Sequence, residues 1–255
     1  MNENRSRIGR HHHVTRHLGT FVAAAALVLA TGATPAQSAP APMKIGIIGT
    51  GHMGGALATR WAKAGMHLLI SSRHPNELQT LAKSLGPNVK VGTPREAAAF
   101  GSVVLISVPY AATPQIGRDF AKELAGKVVL DTGNPQERRD GKMAIAAKAE
   151  GSGLASAKFL PGTRLVRAFN CIPAGMVATG ATRNGQRIAI PIAGNDPAAI
   201  QTAEELVRAA GFDPVLVGPL KTAKLFDLGG PLAGGMHTAP ELRKMIADMH
   251  IGESE

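Results

Sequence analysis

Cysteine is almost absent: Cys171 is the only one in 255 residues, beside one tryptophan and one tyrosine. A single thiol excludes an intramolecular disulfide and any cysteine-rich metal site. The triplet His11-His12-His13 is too short and too local to hold a metal, so no metal is expected. With aromatics at 4%, the core must be built from Ala, Val, Leu and Ile. No Lys/Arg block is interleaved with aromatics, so nucleic acid is not an expected partner. Walker A, G-x-S-x-G and H-E-x-x-H patterns are missing as well. Charged residues make up 18%, against 44% hydrophobic, and Gly and Pro are scattered, which excludes disordered and fibrous classes.

The formal net charge is +10. Residues 1–38 hold four Arg and one Glu, contributing +3 and leaving +7 for the rest. The economical account of that remainder is a solvated basic face with one site for an anionic ligand.

The N-terminus has three zones. Arg5, Arg7, Arg10 and Arg16 precede an uncharged Ala/Leu/Val-rich stretch, Leu18–Ala33, and small residues follow around Ser38. This is the pattern of a secretory signal peptide over residues 1–38, and it predicts an exported, periplasmic protein. The apolar stretch is short for a membrane-spanning helix, which needs about 20 residues, so no stable membrane insertion is expected after cleavage. Met43 stands at the start of the first strand; if it is the true start, the protein is cytoplasmic.

From residue 43 on, short apolar runs alternate with helical patterns. Strands are predicted at Met43–Ile48, His67–Ser71, Val89–Val91, Ser102–Val108, Lys127–Asp131, Leu165–Phe169, Ile188–Ala193 and Val215–Val217. Helices are predicted from the Gly-rich turn to Ala64, and over Glu77–Leu85, Gln115–Leu124, Pro197–Ala210 and Pro240–His250. Continuous apolar strands joined by helices specify an α/β fold: a doubly wound parallel Rossmann sheet over 43–162, with a smaller C-terminal α/β extension over 163–255 for acceptor binding and dimerisation.

Gly49-Thr50-Gly51-His52-Met53-Gly54 is G-x-G-x-x-G, directly after a strand and opening a helix. Gly49 allows the tight turn, Gly51 lets the backbone approach a pyrophosphate, and Gly54 lets the helix pack on the strand. The phosphates then meet the unpaired amides at the helix N-terminus, with His52 contributing its backbone N–H. About 20 residues on, where NAD sites carry Asp or Glu, this chain has Ser71-Ser72-Arg73. Hydroxyls and a guanidinium fork suit a 2′-phosphate that a carboxylate would repel. The expected cofactor is therefore NADP(H). Val108-Pro109 and Asn134-Pro135 follow later strands at the same edge, and topology places them in the cofactor site. No acid/base constellation stands out, so the chemistry belongs to the cofactor, and hydride transfer fits.

MKIGIIGTGHMGGALA, ISSRHP, ISVPY and LDTGNP, continued by RLVRAFNCIPA, IPIAGND and VLVGPLKTAKLFD, are similar to the NADPH-dependent reductases of the deazaflavin coenzyme F420. The resemblance runs in order over residues 43–235. It implies direct hydride transfer between nicotinamide and deazaflavin, with no catalytic side chain, in a homodimer. Thr50, His52 and Met53 match the phosphate loop, Ser72 and Arg73 the 2′-phosphate positions, and Asn170, Ile172 and Pro173 the acceptor face beside the nicotinamide. That family has His where this chain has Asn170, and a Lys near Glu77 is missing. The small-molecule acceptor therefore stays open between coenzyme F420 and a flavin. The same module resembles the cytosolic domain of transmembrane ferric reductases.

Two other readings compete. Imine reductases of the pyrroline-5-carboxylate type carry a largely helical C-terminal domain, whereas residues 165–217 read as strands. A non-catalytic NADP(H)-binding redox sensor would bind both redox forms and oxidise nothing. For the 2′-phosphate assignment, Arg73→Ala should weaken NADPH binding roughly ten- to hundred-fold, the worth of one charge-assisted bond of about 1.5–3 kcal/mol. NADH binding should barely change in the same titration, and equal losses for both would remove the assignment.

Overall fold

The computed structural model describes residues 42–180 and 182–249; the expected leader and the His250 end of the last helix lie outside them. Six strands follow the apolar runs: β1 (Lys44–Ile48), β2 (His67–Ser71), β3 (Val89–Gly92), β4 (Val103–Ile106), β5 (Val128–Asp131) and β6 (Arg164–Arg167). They lie side by side as β3-β2-β1-β4-β5-β6, every pair parallel. Their carboxyl ends therefore share one edge, and the strand order reverses beside β1, where dinucleotides bind in open α/β sheets.

Helices connect them: α1 (His52–Lys63), α2 (Gln79–Leu85), α3 (Pro94–Phe100), α4 (Thr113–Asp119) and α5 (Ala121–Leu124), then α6 (Glu137–Asp140), α7 (Lys142–Glu150) and α8 (Ser152–Phe159). Side chains alternate between two cores, as the period of two requires. In β4, Val103 and Leu105 face a core with Leu57 and Trp61 of α1, while Val104 and Ile106 face Ala97, Ala98 and Ile116. The Trp61 indole also donates to the Leu206 carbonyl at 2.9 Å.

The sheet continues past β6. After α9 (Ala174–Thr179) and a small hairpin, β7 (Thr182–Arg183) with β8 (Gln186–Arg187), come β9 (Ala189–Gly194), α10 (Pro197–Ala209), β10 (Asp213–Gly218) and α11 (Ala239–Asp248). The order of the eight-stranded sheet is β10-β9-β6-β5-β4-β1-β2-β3. β9 pairs with β6 antiparallel, Arg167 opposite Ala193, while β10 is parallel to β9. This one reversal falls in the C-terminal extension, outside the parallel sheet expected over 43–162. The chain leaves β6 at the carboxyl edge without a crossover helix back to the other edge, so β9 starts there and runs the opposite way.

Several details differ from the pattern expected of the sequence. The run Leu165–Phe169 ends as a strand at Arg167, and Phe169 has φ 62°, the left-handed region. The helix expected at Gln115–Leu124 is two, broken at Phe120 (φ −118°, ψ 21°). Helix α3 begins with a capping box: the Thr93 side chain accepts from the Glu96 backbone, and Glu96 accepts from the Thr93 N–H at 2.7 Å.

β1 and α3 meet so closely that a Cβ on Gly46 would lie 1.8 Å from the Ala97 carbonyl oxygen. Gly46→Ala should therefore cost about 1–3 kcal/mol, the range for overpacking a tight interface. A shifted midpoint in chemical denaturation checks it; an unchanged midpoint would mean that α3 can move away.

Candidate dinucleotide site

Everything in the turn after β1 hangs on one carbonyl. Ser71 O, at the end of β2, accepts from Gly49 N (3.1 Å), Thr50 N (3.0 Å) and Thr50 Oγ1 (3.0 Å). The buried Ser71 hydroxyl donates back to Ile47 O at 2.7 Å. Ser71, expected to touch the cofactor, is thus fully buried and holds the turn from behind.

The three glycines have distinct surroundings. Gly49 has φ 95°, and a Cβ there would lie 2.3 Å from Ser107 O. On Gly54 it would lie 2.1 Å from Gly49 O. Around Gly51, by contrast, nothing lies within 4 Å of a Cβ position. The first two glycines are required by packing, the third only by what approaches from outside. Helix α1 starts here with Gly51 as N-cap, no side-chain cap bond and no acidic residue in its first turn. Its amides and dipole therefore face outward uncompensated. His52 is exposed at this end, and Met53 packs back against the core.

The turn opens into a cleft of about 810 Å³ lined by Gly49, Thr50, Gly51, Ser72, Arg73, Val108 and Pro109 among the expected residues. Pro94, Ala111, Ala112, Gln115, Ile116, Asp119 and Phe120 complete it. These come from the start of α3 and from α4 with the turn before it and the residue after it, and no residue-level motif marked them. Arg73 is exposed and makes no hydrogen bond or ion pair among the described residues, while Ser72 Oγ accepts from His74 N at 3.0 Å. An unpaired guanidinium beside an open helix N-terminus suits a ligand with phosphates at two positions.

Asn134, Pro135, Asn170, Ile172 and Pro173 do not line this cleft. They follow β5 and β6, one and two strands beyond β4 on the same edge. The structure brings Asn134 and Asn170 together: Asn134 Nδ2 donates to Asn170 O at 2.6 Å. Pro135 and Ile172 are buried, and Pro173 is exposed as N-cap of α9. A polar cluster lies beneath them. Asp131 pairs with Arg167 at 2.6 Å, both side chains fully buried, and Ser156 Oγ donates to Asp131 Oδ2 at 2.7 Å. Tyr110 OH lies 3.0 Å from Ser156 Oγ. Of this cluster the sequence marked Tyr110 and Asp131, in ISVPY and LDTGNP at the strand ends, and missed Ser156 and the role of Arg167; charges ending the runs VVLD and RLVR were the available signal.

Two protons near these ends are held tightly by burial. Burial pushes the Tyr110 phenol up to about 12, against the lowering effect of Ser156. It also pushes the Cys171 thiol up to about 12. Among the described residues no group of three or more His, Cys, Asp or Glu could hold a metal, and no helix is long and apolar enough to cross a membrane.

Comparison with known proteins agrees with this geometry. Residues 44–135 match the family "NADP oxidoreductase coenzyme F420-dependent". The chain is 28% identical over 210 residues to the F420-dependent NADP reductase of Methanothermobacter thermautotrophicus, covering 74% of this chain and 87% of that protein. It is 32% identical over 184 residues to the rat (Rattus norvegicus) metalloreductase STEAP3, covering 71% of this chain but 35% of that protein. The chain thus spans about a third of the metalloreductase's length. Among solved structures, hypothetical protein SMa0349 of Sinorhizobium meliloti superposes with a TM-score of 0.68 at 27% identity, covering 77% of this chain and 95% of that one.

The open space at Gly51 gives a direct test. Gly51→Ala should leave the unfolding midpoint where it is and weaken NADPH binding at least tenfold, because the methyl occupies only the path of the phosphates. Unchanged NADPH binding would place the phosphates elsewhere.

Proposed function

We propose that the chain, which matches the coenzyme F420-dependent NADP oxidoreductases over residues 44–135 and is 28% identical to an F420-dependent NADP reductase, is an enzyme that passes hydride between NADP(H) and a deazaflavin or flavin-like acceptor. The observation that carries the reading is the combination, in one cleft, of the open Gly49–Gly51 turn and the unpaired Arg73. In this proposal the amides of His52 and Met53 take the pyrophosphate. Ser72 and Arg73 take the 2′-phosphate, and Val108 and Pro109 bound the path toward the nicotinamide. Bound NADPH supplies the hydride.

The protein's own part is to align two rings and exclude water. Tyr110 and Cys171, whose protons are held up to about pH 12, take none of it. The acceptor would lie against Asn170, Ile172 and Pro173, whose position on the same sheet edge supports this half of the reading. The match to a metalloreductase keeps acceptors other than F420 within the proposal. Homodimer formation and export through residues 1–38 belong to the same reading, supported by family resemblance and by the leader pattern.

The test is NADPH oxidation by the purified protein with coenzyme F420, FMN and FAD offered in turn. Turnover with one of them, and much less with NADH as donor, is the expected result. Tight NADPH binding without turnover on any of the three would contradict the acceptor proposal and favour a redox sensor.

A further inference from the structure

Arg167 ends β6 with its side chain wholly buried. Nη1 lies 2.6 Å from Asp131 Oδ2, and Nη2 donates to Gly133 O at 2.5 Å. The same Nη2 stands 3.4 Å from Asp227 Oδ1. Burial alone would lower the guanidinium pKa, but Asp131 and Asp227 hold it above its ordinary value, so the group stays charged. A buried cation thus joins two acidic side chains that are far apart in the sequence, Asp131 and Asp227.

Asp227 has further partners. Ser152 Oγ donates to its Oδ1 at 2.5 Å and Ser152 N to its Oδ2 at 3.1 Å. Asn170 Nδ2 donates to Oδ1 at 3.0 Å. An ionised carboxylate only accepts, as does the Phe226 carbonyl 3.4 Å from the same Nδ2, so Asp227, the nearer of the two at 3.0 Å, is the main group that sets which end of the Asn170 amide faces it. The other end, Asn170 Oδ1, is buried without a partner among the described residues. Asn134 closes the group, giving its Nδ2 to Asn170 O at 2.6 Å and receiving Asn170 Nδ2 on its Oδ1 at 3.4 Å. Just before Asn170, the buried Phe169 sits at φ 62°, a conformation rare for a bulky residue. Strain of this kind persists where the surroundings over-determine it, and it clusters at ligand sites.

We propose that Asp227, backed by the Asp131–Arg167 pair, is a positioning residue that fixes Asn170 and Asn134 to receive the nicotinamide half of the dinucleotide. Asp227 ties the strained loop after β6 to the start of α8 directly, and the loop after β5 to both through Arg167 and Asn170. It acts on the ligand only through the two amides. The inference rests on the NADP(H) reading given above.

The test compares two ligands on the full chain by calorimetric titration. One is NADPH; the other is 2′-phospho-ADP-ribose, which keeps the adenine half and lacks the nicotinamide. Asp227→Asn, which can donate as well as accept and so releases the Asn170 orientation, should cut the preference for NADPH over 2′-phospho-ADP-ribose about tenfold. Its Kd for 2′-phospho-ADP-ribose should not change, and Asp227→Glu should regain part of the preference. Equal losses for both ligands, or an unchanged preference with only a lower Tm, would overturn the proposal and leave Asp227 a structural residue. Should Asp227→Asn fail to fold, Ser152→Ala removes one donor to the same carboxylate, and a drop of about threefold in the preference is expected; no drop would overturn it equally. Wild-type protein that binds neither ligand would overturn the NADP(H) reading itself, a result distinct from either of these.

Discussion

Gly54 brings helix α1 so close to the turn after β1 that a single added methyl would lie 2.1 Å from the Gly49 carbonyl oxygen. That approach sets where the helix begins, and with it where the unpaired amides point. The turn in turn hangs from Ser71 O at the end of β2, three donors on one carbonyl. The open backbone of the turn and the Ser72-Arg73 pair are thereby fixed to each other through the β1–β2 register, Ile48 opposite Ser71. A site for a ligand with charges at two separated points follows from this arrangement without any movement of the main chain.

A different physics governs the other end of the edge. Here the strands finish in charged residues that cannot reach water, and each must be matched inside. Taking one partner from such a buried pair typically costs about 3–5 kcal/mol, while the pair itself adds little net stability. The Asp131–Arg167–Asp227 group is therefore better understood as a device for holding loops in one arrangement than as a source of stability. It stands where the apolar sheet gives way to the segments carrying Asn134 and Asn170. The two ends of the edge thus divide the work: open backbone and a guanidinium without a partner among the described residues at β1–β2, closed and largely buried polar groups at β5–β6.

Much of this was legible in the residues. Runs such as GIIG and VVLI are strands because both faces are buried, and the G-x-G-x-x-G spacing located the turn before any coordinates. Arg73, in place of an acidic residue, lines the cleft at the end of β2 where the sequence put it. What the sequence could not show was cooperative. Ser71 reads as a ligand residue by position, yet the β1–β2 register turns its hydroxyl to Ile47. The signal for α3 was present in Thr93-Pro94-Arg95-Glu96, a capping box with proline at the first helical position, but its short apolar stripe did not announce a helix. Helix α6 is wholly charged and α7 and α8 are rich in small residues, so no strong apolar face marks them. The antiparallel β9 depends on where the chain leaves β6, a fact of tertiary path rather than of local pattern, and the Arg167 cluster joins residues nearly a hundred positions apart.

The central claim is that one sheet edge holds the whole dinucleotide, its pyrophosphate on the α1 amides and its 2′-phosphate on Arg73. The most direct measurement is a crystal structure of the protein with NADP+ bound. The account predicts pyrophosphate oxygens within hydrogen-bond distance of the His52 and Met53 amides and the 2′-phosphate on the Arg73 guanidinium, with the nicotinamide lying toward Asn134 and Asn170. A dinucleotide bound in the opposite sense, with its adenine half over β5 and β6, or one that leaves Arg73 untouched, would contradict it.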